Sequence, residues 1–471
     1  MMKVEQIYTG CLAEAAYYIE SNGEAAIIDP IRETKPYLDK LNEAGVKLKY
    51  VFETHFHADF VSGHVDLAKQ TGAKIVFGPT AVTDYETHTA ADGEEFKIGN
   101  ITIKVIHTPG HTLESSTFLL INEEGKEEAI FTGDTLFLGD VGRPDLAIKS
   151  DLTRQDLAGM LFDSLRNKIM TLPDSLTVYP AHGAGSACGK NMSKETIGNL
   201  GEQKETNYAL RANMTKQEFI DEVLDGILPP PQYFAKNAAM NKFGYQNIDE
   251  VISSGNTALS VEEFEAKANE TGALLLDVRH QDDFVLEHIP NSIFIGVQGG
   301  FAPWVGALIT DIKQPILIIA PEGREEETVT RLARVGYDNT LGFLKGGLDS
   351  WKSAGKETAS IESITATEFE SRLENDKDSV ILDVRKPGEW TAEHLSNAKH
   401  VALDYINENM DQVNDKEDYF VHCAGGYRSV IFASILKSRG IHNVIDIKGG
   451  YGAIKKTNLE RTDFVCPSTL S

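Results

Sequence analysis

Apolar residues in the first part of the chain fall into short runs rather than long stripes. The runs at 25–28, 74–77, 101–106 and 129–132 are separated by amphipathic stretches and by Gly/Pro turns. Short β-rich runs alternating with helical patterns predict stacked α/β layers. From residue 193 to about 240 the strand signal disappears, and GEQKETNYALRANMTKQEFIDEVLDGI reads as helical until Pro229, Pro230 and Pro231 stop it, because proline has no amide to donate. The pattern predicts a first domain over 1–250 with a helical tail packed back on it.

The remainder contains an internal repeat. Leu275-Leu-Asp-Val-Arg279, then Phe284, Glu287-His288-Ile289 and Asn291, matches Ile381-Leu-Asp-Val-Arg385, then Trp390, Glu393-His394-Leu395 and Asn397. Lys345-Gly-Gly347 matches Lys448-Gly-Gly450, at 346 − 277 = 69 residues from Asp277 to Gly346 and 449 − 383 = 66 from Asp383 to Gly449. Each copy runs from a helix-like segment into a buried strand, then into a second apolar strand ahead of a loop and helix. Two α/β domains with parallel sheets are expected, at 255–358 and 359–471.

The length of 471 residues suits about three domains. A composition of 41% hydrophobic and 25% charged residues is that of a globular protein able to bury cores. The net charge of −26 repels phosphate backbones and anionic lipid, so nucleic-acid and membrane partners are excluded as expectations. The N-terminus has no basic segment followed by a long apolar one, and no apolar run reaches the length of a membrane span. Cys11, Cys188, Cys423 and Cys466 are scattered, without a C-x-x-C pair, which fits a reducing cytoplasm and single-thiol chemistry.

Four turns in the first domain carry metal-binding residue types. They are Thr54-His55-Phe56-His57-Ala58-Asp59-Phe60, Thr108-Pro109-Gly110-His111-Thr112, Thr132-Gly133-Asp134 and Tyr179-Pro180-Ala181-His182. Each follows an apolar run, so the side chains can gather at one sheet edge, and imidazole with carboxylate suits zinc, iron or manganese. These motifs resemble the metallo-β-lactamase superfamily, which implies an αββα sandwich. Where the hydrolases of that superfamily carry a further histidine after Asp59, this chain has Phe60, which cannot ligate. The segments THFHADF, GHTLESS, GDVGRPD and PAHGAGS are similar to the persulfide dioxygenases of the superfamily. That resemblance implies one Fe(II) per chain on His55, His111 and Asp134, with His57, Asp59 and His182 around it. Arg143 has two readings, as a holder of the substrate's anionic end or of its own loop through Asp145. Cys188, in a Gly-rich loop with Lys190 that could touch a bound thiol cofactor, reads first as a small residue packed in a tight turn.

In the last domain, Cys423-Ala-Gly-Gly-Tyr-Arg-Ser429 lies between a strand and a helix. Successive amides in such a loop make an anion nest, and the helix N-terminus adds positive potential. Both favour a thiolate. Gly425 and Gly426 are candidate anion-binding positions, and Arg428 is read as a catalytic cation for an oxyanion. The repeat resembles the rhodanese family of sulfurtransferases, whose persulfide-carrying cysteine falls on Cys423. The first copy has Ala320 at that position and Glu325 at the position of Arg428, so it is expected to be inactive. Asp277, Arg279, Asp383 and Arg385 are read as structural.

Together the resemblances imply a sulfur-detoxifying enzyme. It would oxidise a low-molecular-weight thiol persulfide with O2 to sulfite and pass sulfane sulfur through Cys423 to sulfite, giving thiosulfate. The alternative is a dinuclear thioester hydrolase of the glyoxalase II type with appended sulfurtransferase or docking domains. The carrier thiol (glutathione, coenzyme A or another) and a homo-oligomeric state are left open.

Overall fold

The computed structural model describes residues 2–147, 152–375 and 379–465. Contacts divide it into two units, one of Met1–Ile248 with Ala333–Gly336, the other of Asp249–Leu332 with Tyr337–Ser471.

The first unit holds two six-stranded sheets. One runs in chain order through β1 (Lys3–Thr9), β2 (Glu14–Ser21), β3 (Glu24–Ile28), β4 (Lys47–Glu53), β5 (Lys74–Phe77) and β6 (His88–Thr89). The other comprises β7 (Glu95–Ile98), β8 (Ile101–His107), β9 (Ser116–Ile121), β10 (Glu127–Gly133), β11 (Thr177–Pro180) and β12 (Gly198–Asn199). Side chains alternate across a strand, and the alternation decides the layers. Ile101, Ile103, Val105, Phe118, Leu120 and Phe131 point between the sheets, where they meet Tyr17, Ile19, Phe52 and Val76. Leu119 and Ile130 point outward onto Leu157-flanking helix residues such as Ala158 and Leu161 and onto Phe219. The result is the expected αββα sandwich.

The tail is helical in pieces rather than continuous, as Leu200–Thr206, Lys216–Leu224 and Phe234–Phe243. Asn207 adopts an extended backbone and ends the first piece, and Thr215 starts the second with a capping box to Glu218. The tail does pack back on the sandwich, for Asn241 Nδ2 donates to the carbonyls of His57 and Phe60 at 2.8 Å each.

The second unit holds two five-stranded, all-parallel sheets. The first contains β13 (Ala258–Leu259), β14 (Leu274–Asp277), β15 (Ile293–Phe294), β16 (Ile316–Ile319) and β17 (Thr340–Leu344), in the order β13-β17-β16-β14-β15. The second contains β18 (Glu362–Ile364), β19 (Val380–Asp383), β20 (Lys399–His400), β21 (Tyr419–His422) and β22 (Val444–Ile447), in the matching order β18-β22-β21-β19-β20. Helix Tyr427–Ser438 is buried nearly all round, because it lies between its own sheet and the first copy. There Ser434 Oγ accepts the Phe294 amide at 3.0 Å and Tyr427 donates its hydroxyl to Gly296 O at 2.8 Å. Arg279 and Arg385 clamp Asp277 and Asp383 two residues away, the strand-end closure expected of them. Among the described residues no helix is long and apolar enough to cross a membrane.

Candidate functional site

β3, β4 and β5 are parallel, as are β10 and β11, so the turns after β4, β10 and β11 open on one edge of the sandwich. The turn between β8 and β9 adds His111. Ligand atoms of His55, His111 and Asp134 lie within 4.8 Å of one another, and all three residues are buried. Asp134 Oδ2 is 3.4 Å from His111 Nε2 and 3.9 Å from His55 Nε2. His111 Nδ1 lies 2.8 Å from the carbonyl of Arg143, which holds the proton on that nitrogen and leaves Nε2 free. His111 Nε2 and Asp134 Oδ2 are buried without a hydrogen-bond partner among the described residues. Two buried polar atoms aimed at one point are costly unless a cation lies between them, so the donor set fits a metal. Burial, with the neighbouring His57, pushes the His55 imidazole well below its ordinary range. Burial raises the Asp134 carboxyl, but the imidazoles of His182, His111 and His55 outweigh it and hold Asp134 ionised.

The other expected residues lie around this cluster. His182 bridges two carboxylates, with Nδ1 2.8 Å from Asp134 Oδ1 and Nε2 2.8 Å from Asp59 Oδ2. Burial opposes charge on His182, yet these carboxylates outweigh it and raise its affinity for a proton. His57 faces another way, with Nε2 3.1 Å from Asp29 Oδ1 and 3.6 Å from Glu53 Oε2. Phe60 is fully buried and its ring lies 4.4 Å from that of His57. Cys188 is 1% exposed, and beyond filling its turn it approaches Asp59 and His182.

Arg143 resolves to one of its two readings. Its Nε and Nη2 donate to Asp145 at 2.6 and 2.8 Å, and further bonds reach the carbonyls of Ala187 and Leu228. In this structure the guanidinium bonds to its own loop and to two neighbouring ones, the second of the two readings. Beside the cluster opens a cleft of about 570 Å³, lined among others by Phe56, Leu113, Glu114, Asp145 and Phe234.

The Cys423 loop is braced by the Lys448-Gly-Gly450 turn, since the amides of Tyr451 and Gly452 donate to the carbonyls of Cys423 and Ala424. Gly426 has φ +101°, a region open to glycine, and that backbone aims its amide at Cys423 Sγ, 3.1 Å away. Arg428 corrects the sequence expectation. Its Nη1 and Nη2 donate to Glu389 at 2.6 and 2.8 Å, so its fork meets a carboxylate and the donor that faces the sulfur is the Gly426 amide. Glu389 is 39 residues away in sequence, beyond any local pattern.

Residues 9–182 match the metallo-beta-lactamase superfamily, and residues 260–354 and 365–457 each match the rhodanese-like domain. Mouse mitochondrial persulfide dioxygenase ETHE1 is 31% identical over 212 residues, which cover 44% of this chain and 74% of that protein. The chain belongs to the metallo-beta-lactamase superfamily. A probable hydroxyacylglutathione hydrolase of Schizosaccharomyces pombe is 30% identical over 37% of this chain and 66% of its own length. A metallo-beta-lactamase crystal structure from Staphylococcus aureus is 31% identical, with a TM-score of 0.64, over 73% of this chain and 98% of that one.

Sequence reasoning missed several residues around this site. Asp29 accepts both the amide and the hydroxyl of Thr54, at 2.7 and 2.8 Å, and so sets the turn that carries His55. Glu114 accepts the Phe56 amide at 3.0 Å. Glu14 is fully buried with neither oxygen partnered among the described residues, and burial pushes its carboxyl well up. Glu114 lay within the quoted GHTLESS segment, whereas Asp29 and Glu14 offered no motif.

Proposed function

We propose that the chain oxidises low-molecular-weight thiol persulfides with O2 to sulfite at one Fe(II), and transfers sulfane sulfur through Cys423 to sulfite, giving thiosulfate. The observation carrying the reading is the set of two imidazoles and one carboxylate with unpartnered atoms converging, beside a phenylalanine where a dinuclear site needs a ligand. Iron held by His55, His111 and Asp134 would supply the one-electron chemistry that lets dioxygen react with a persulfide. The net oxidation balances as RSSH + O2 + H2O → RSH + SO3²⁻ + 2H⁺.

The protein groups do the positioning. The Arg143 carbonyl orients His111 and the His182 imidazole holds the second oxygen of Asp134, so both ligands keep one geometry. The apolar cleft beside them admits the carrier's thiol end and limits water. In the rhodanese-like site, the Cys423 thiolate attacks the outer sulfur of a second persulfide. That S–S bond breaks and the carrier leaves as its thiolate. Sulfite then attacks the outer sulfur of the Cys423 persulfide, releasing thiosulfate and regenerating the thiolate. The Gly426 amide stabilises the sulfur in both steps. The first rhodanese-like copy, with Ala320 and Glu325 in its loop, carries no sulfur. The described cysteines are all free thiols, which supports a reducing, cytoplasmic setting.

The test is metal analysis of anaerobically purified protein together with oxygen uptake on glutathione persulfide and coenzyme A persulfide. About one iron per chain and persulfide-dependent uptake are expected. Two zinc ions per chain with thioester hydrolysis, the activity named for the yeast relative, would overturn the proposal.

A further inference from the structure

Beneath the Cys423 loop lies a carboxylate that the transfer chemistry above leaves unused. Asp446, on β22, is 3% exposed, and its Oδ1 has no hydrogen-bond partner among the described residues. Its Oδ2 accepts the Ser363 hydroxyl at 2.7 Å, and Ser429 is the neighbouring hydroxyl that most favours its ionised form. Ser429, fully buried at the start of helix Tyr427–Ser438, places its Oγ 3.6 Å from Cys423 Sγ. One hydroxyl therefore stands between the sulfur and a buried acid. Burying such a carboxylate is costly, and a purely structural site would be served as well by an amide or an apolar residue.

The internal repeat provides a comparison within the same chain. Asp277 pairs with Ile319 in the first copy as Asp383 pairs with His422 in the second, which aligns Ala320 with Cys423 and Glu326 with Ser429. Ala258 pairs with Phe343 as Ser363 pairs with Asp446. Where one copy has Cys423, Ser429, Asp446 and Ser363, the other has Ala320, Glu326, Phe343 and Ala258. Strand order and pairing are the same in both, so the fold does not require the polar chain. It accompanies the cysteine.

We propose that Ser429 and Asp446 form a proton relay for Cys423. The proposal rests on the reading of Cys423 as the sulfur carrier. During loading, the thiol proton passes to Ser429 Oγ as the Ser429 proton passes to the Asp446 carboxylate. The freed sulfur electron pair forms the new S–S bond, the S–S bond of the incoming persulfide breaks, and the carrier thiolate takes a proton from solvent. On release, Cys423 leaves as a thiolate and regains its proton along the same path. Sulfur is exchanged without an external oxidant or reductant. Asp446 acts through Ser429 and is a positioning residue; Ser429 touches the sulfur.

The groups facing Asp446 are Ser429, Ser363, Lys448 and, from the first copy, Asp282. Burial pushes the carboxyl up to about 6 against the pull of Ser429 and Ser363. At neutral pH the group is thus ionised, yet basic enough to accept a proton.

The experiment follows iodoacetamide alkylation of Cys423 in the full chain from about pH 5 to 9, read on the Cys423 peptide by mass spectrometry. The wild-type rate should rise in two steps, the lower as the Asp446 carboxyl ionises near pH 6 and becomes able to accept a proton. Asp446→Asn keeps the acceptor for Ser363 but cannot hold the proton. It should lose the lower step, with alkylation about tenfold slower near pH 6 and within about twofold of wild type near pH 9. Ser429→Ala leaves the carboxylate and cuts the path, and should lose the same step. A merely structural role would lower the thermal midpoint and leave the profile's shape unchanged. Should Asp446→Asn not fold, Ser429→Ala decides alone, and a two-step profile retained in it overturns the relay. Thiosulfate formation by the wild-type chain is measured alongside. Its absence would overturn the sulfur-carrier reading, whereas normal transfer with unchanged variant profiles overturns only the relay.

Discussion

Gly142→Ala is the sharpest probe of the metal centre, because it alters no ligand. Gly142 follows Asp134 in the GDVGRPD loop, and its amide donates to the Asp134 carbonyl at 3.1 Å. A Cβ at Gly142 would stand 2.0 Å from Asp134 O and 2.9 Å from His111 Nδ1. Since such carbons do not approach other heavy atoms within 3.0 Å, the Asp134 backbone must retreat by about 1 Å, whereas metal–ligand distances tolerate about 0.2 Å. The displacement exceeds that tolerance several-fold. Overpacking costs about 1–3 kcal/mol, which a domain of this size can survive. The expected protein is folded, with iron content and persulfide-dependent oxygen uptake falling together by about tenfold or more. Thiosulfate formation from supplied persulfide and sulfite should persist, because Cys423 belongs to the other unit. Metal analysis, an oxygen electrode and product chromatography read the three quantities. Wild-type iron and uptake in Gly142→Ala would refute the assignment of His111 and Asp134 as ligands of one metal.

Cys423→Ser should leave iron and oxygen uptake nearly intact while the product changes from thiosulfate to sulfite, because a serine hydroxyl forms no persulfide; chromatography showing thiosulfate at the wild-type rate would contradict it. Ala320→Cys in that background should not restore transfer, since Glu325 opposes both a thiolate and sulfite. Phe60→His should raise the number of metal ions bound, by adding a ligand beside Asp59 and His182, and an unchanged stoichiometry would show that Phe60 is not what excludes a second ion. Arg143→Ala should lower stability by about 3 kcal/mol, because it strands Asp145 and frees two loop carbonyls, with the persulfide KM unchanged. A raised KM at an unchanged thermal midpoint would return Arg143 to the substrate.

The architecture and most of the candidate site are legible in the sequence. A strand announces itself by a run of a few residues, a turn by Gly and Pro beside it, and a duplicated domain by the same spacing met twice. The four turns carrying His55, His111, Asp134 and His182 were readable for that reason, as was the cysteine loop at Cys423. The replacements at Phe60 and Ala320 stood out against the same patterns.

Side-chain partners were not legible. Arg428 could face sulfite or a carboxylate as far as its neighbours in the chain indicate, and only the approach of Glu389 committed it. Arg143 likewise meets Asp145 together with the carbonyls of Ala187 and Leu228. The turning of His57 toward Asp29, the close approach of Gly142 to Asp134 and His111, and the nearness of Asp446 to Ser429 all depend on strands brought side by side by folding. Elements and turns follow from interactions within a few residues, so the sequence determined the layers, the repeat and the chemistry available at each turn. Which charge meets which, and which buried atom is left without a partner, follows from distances across the packed sheets, and the tertiary structure alone decided those.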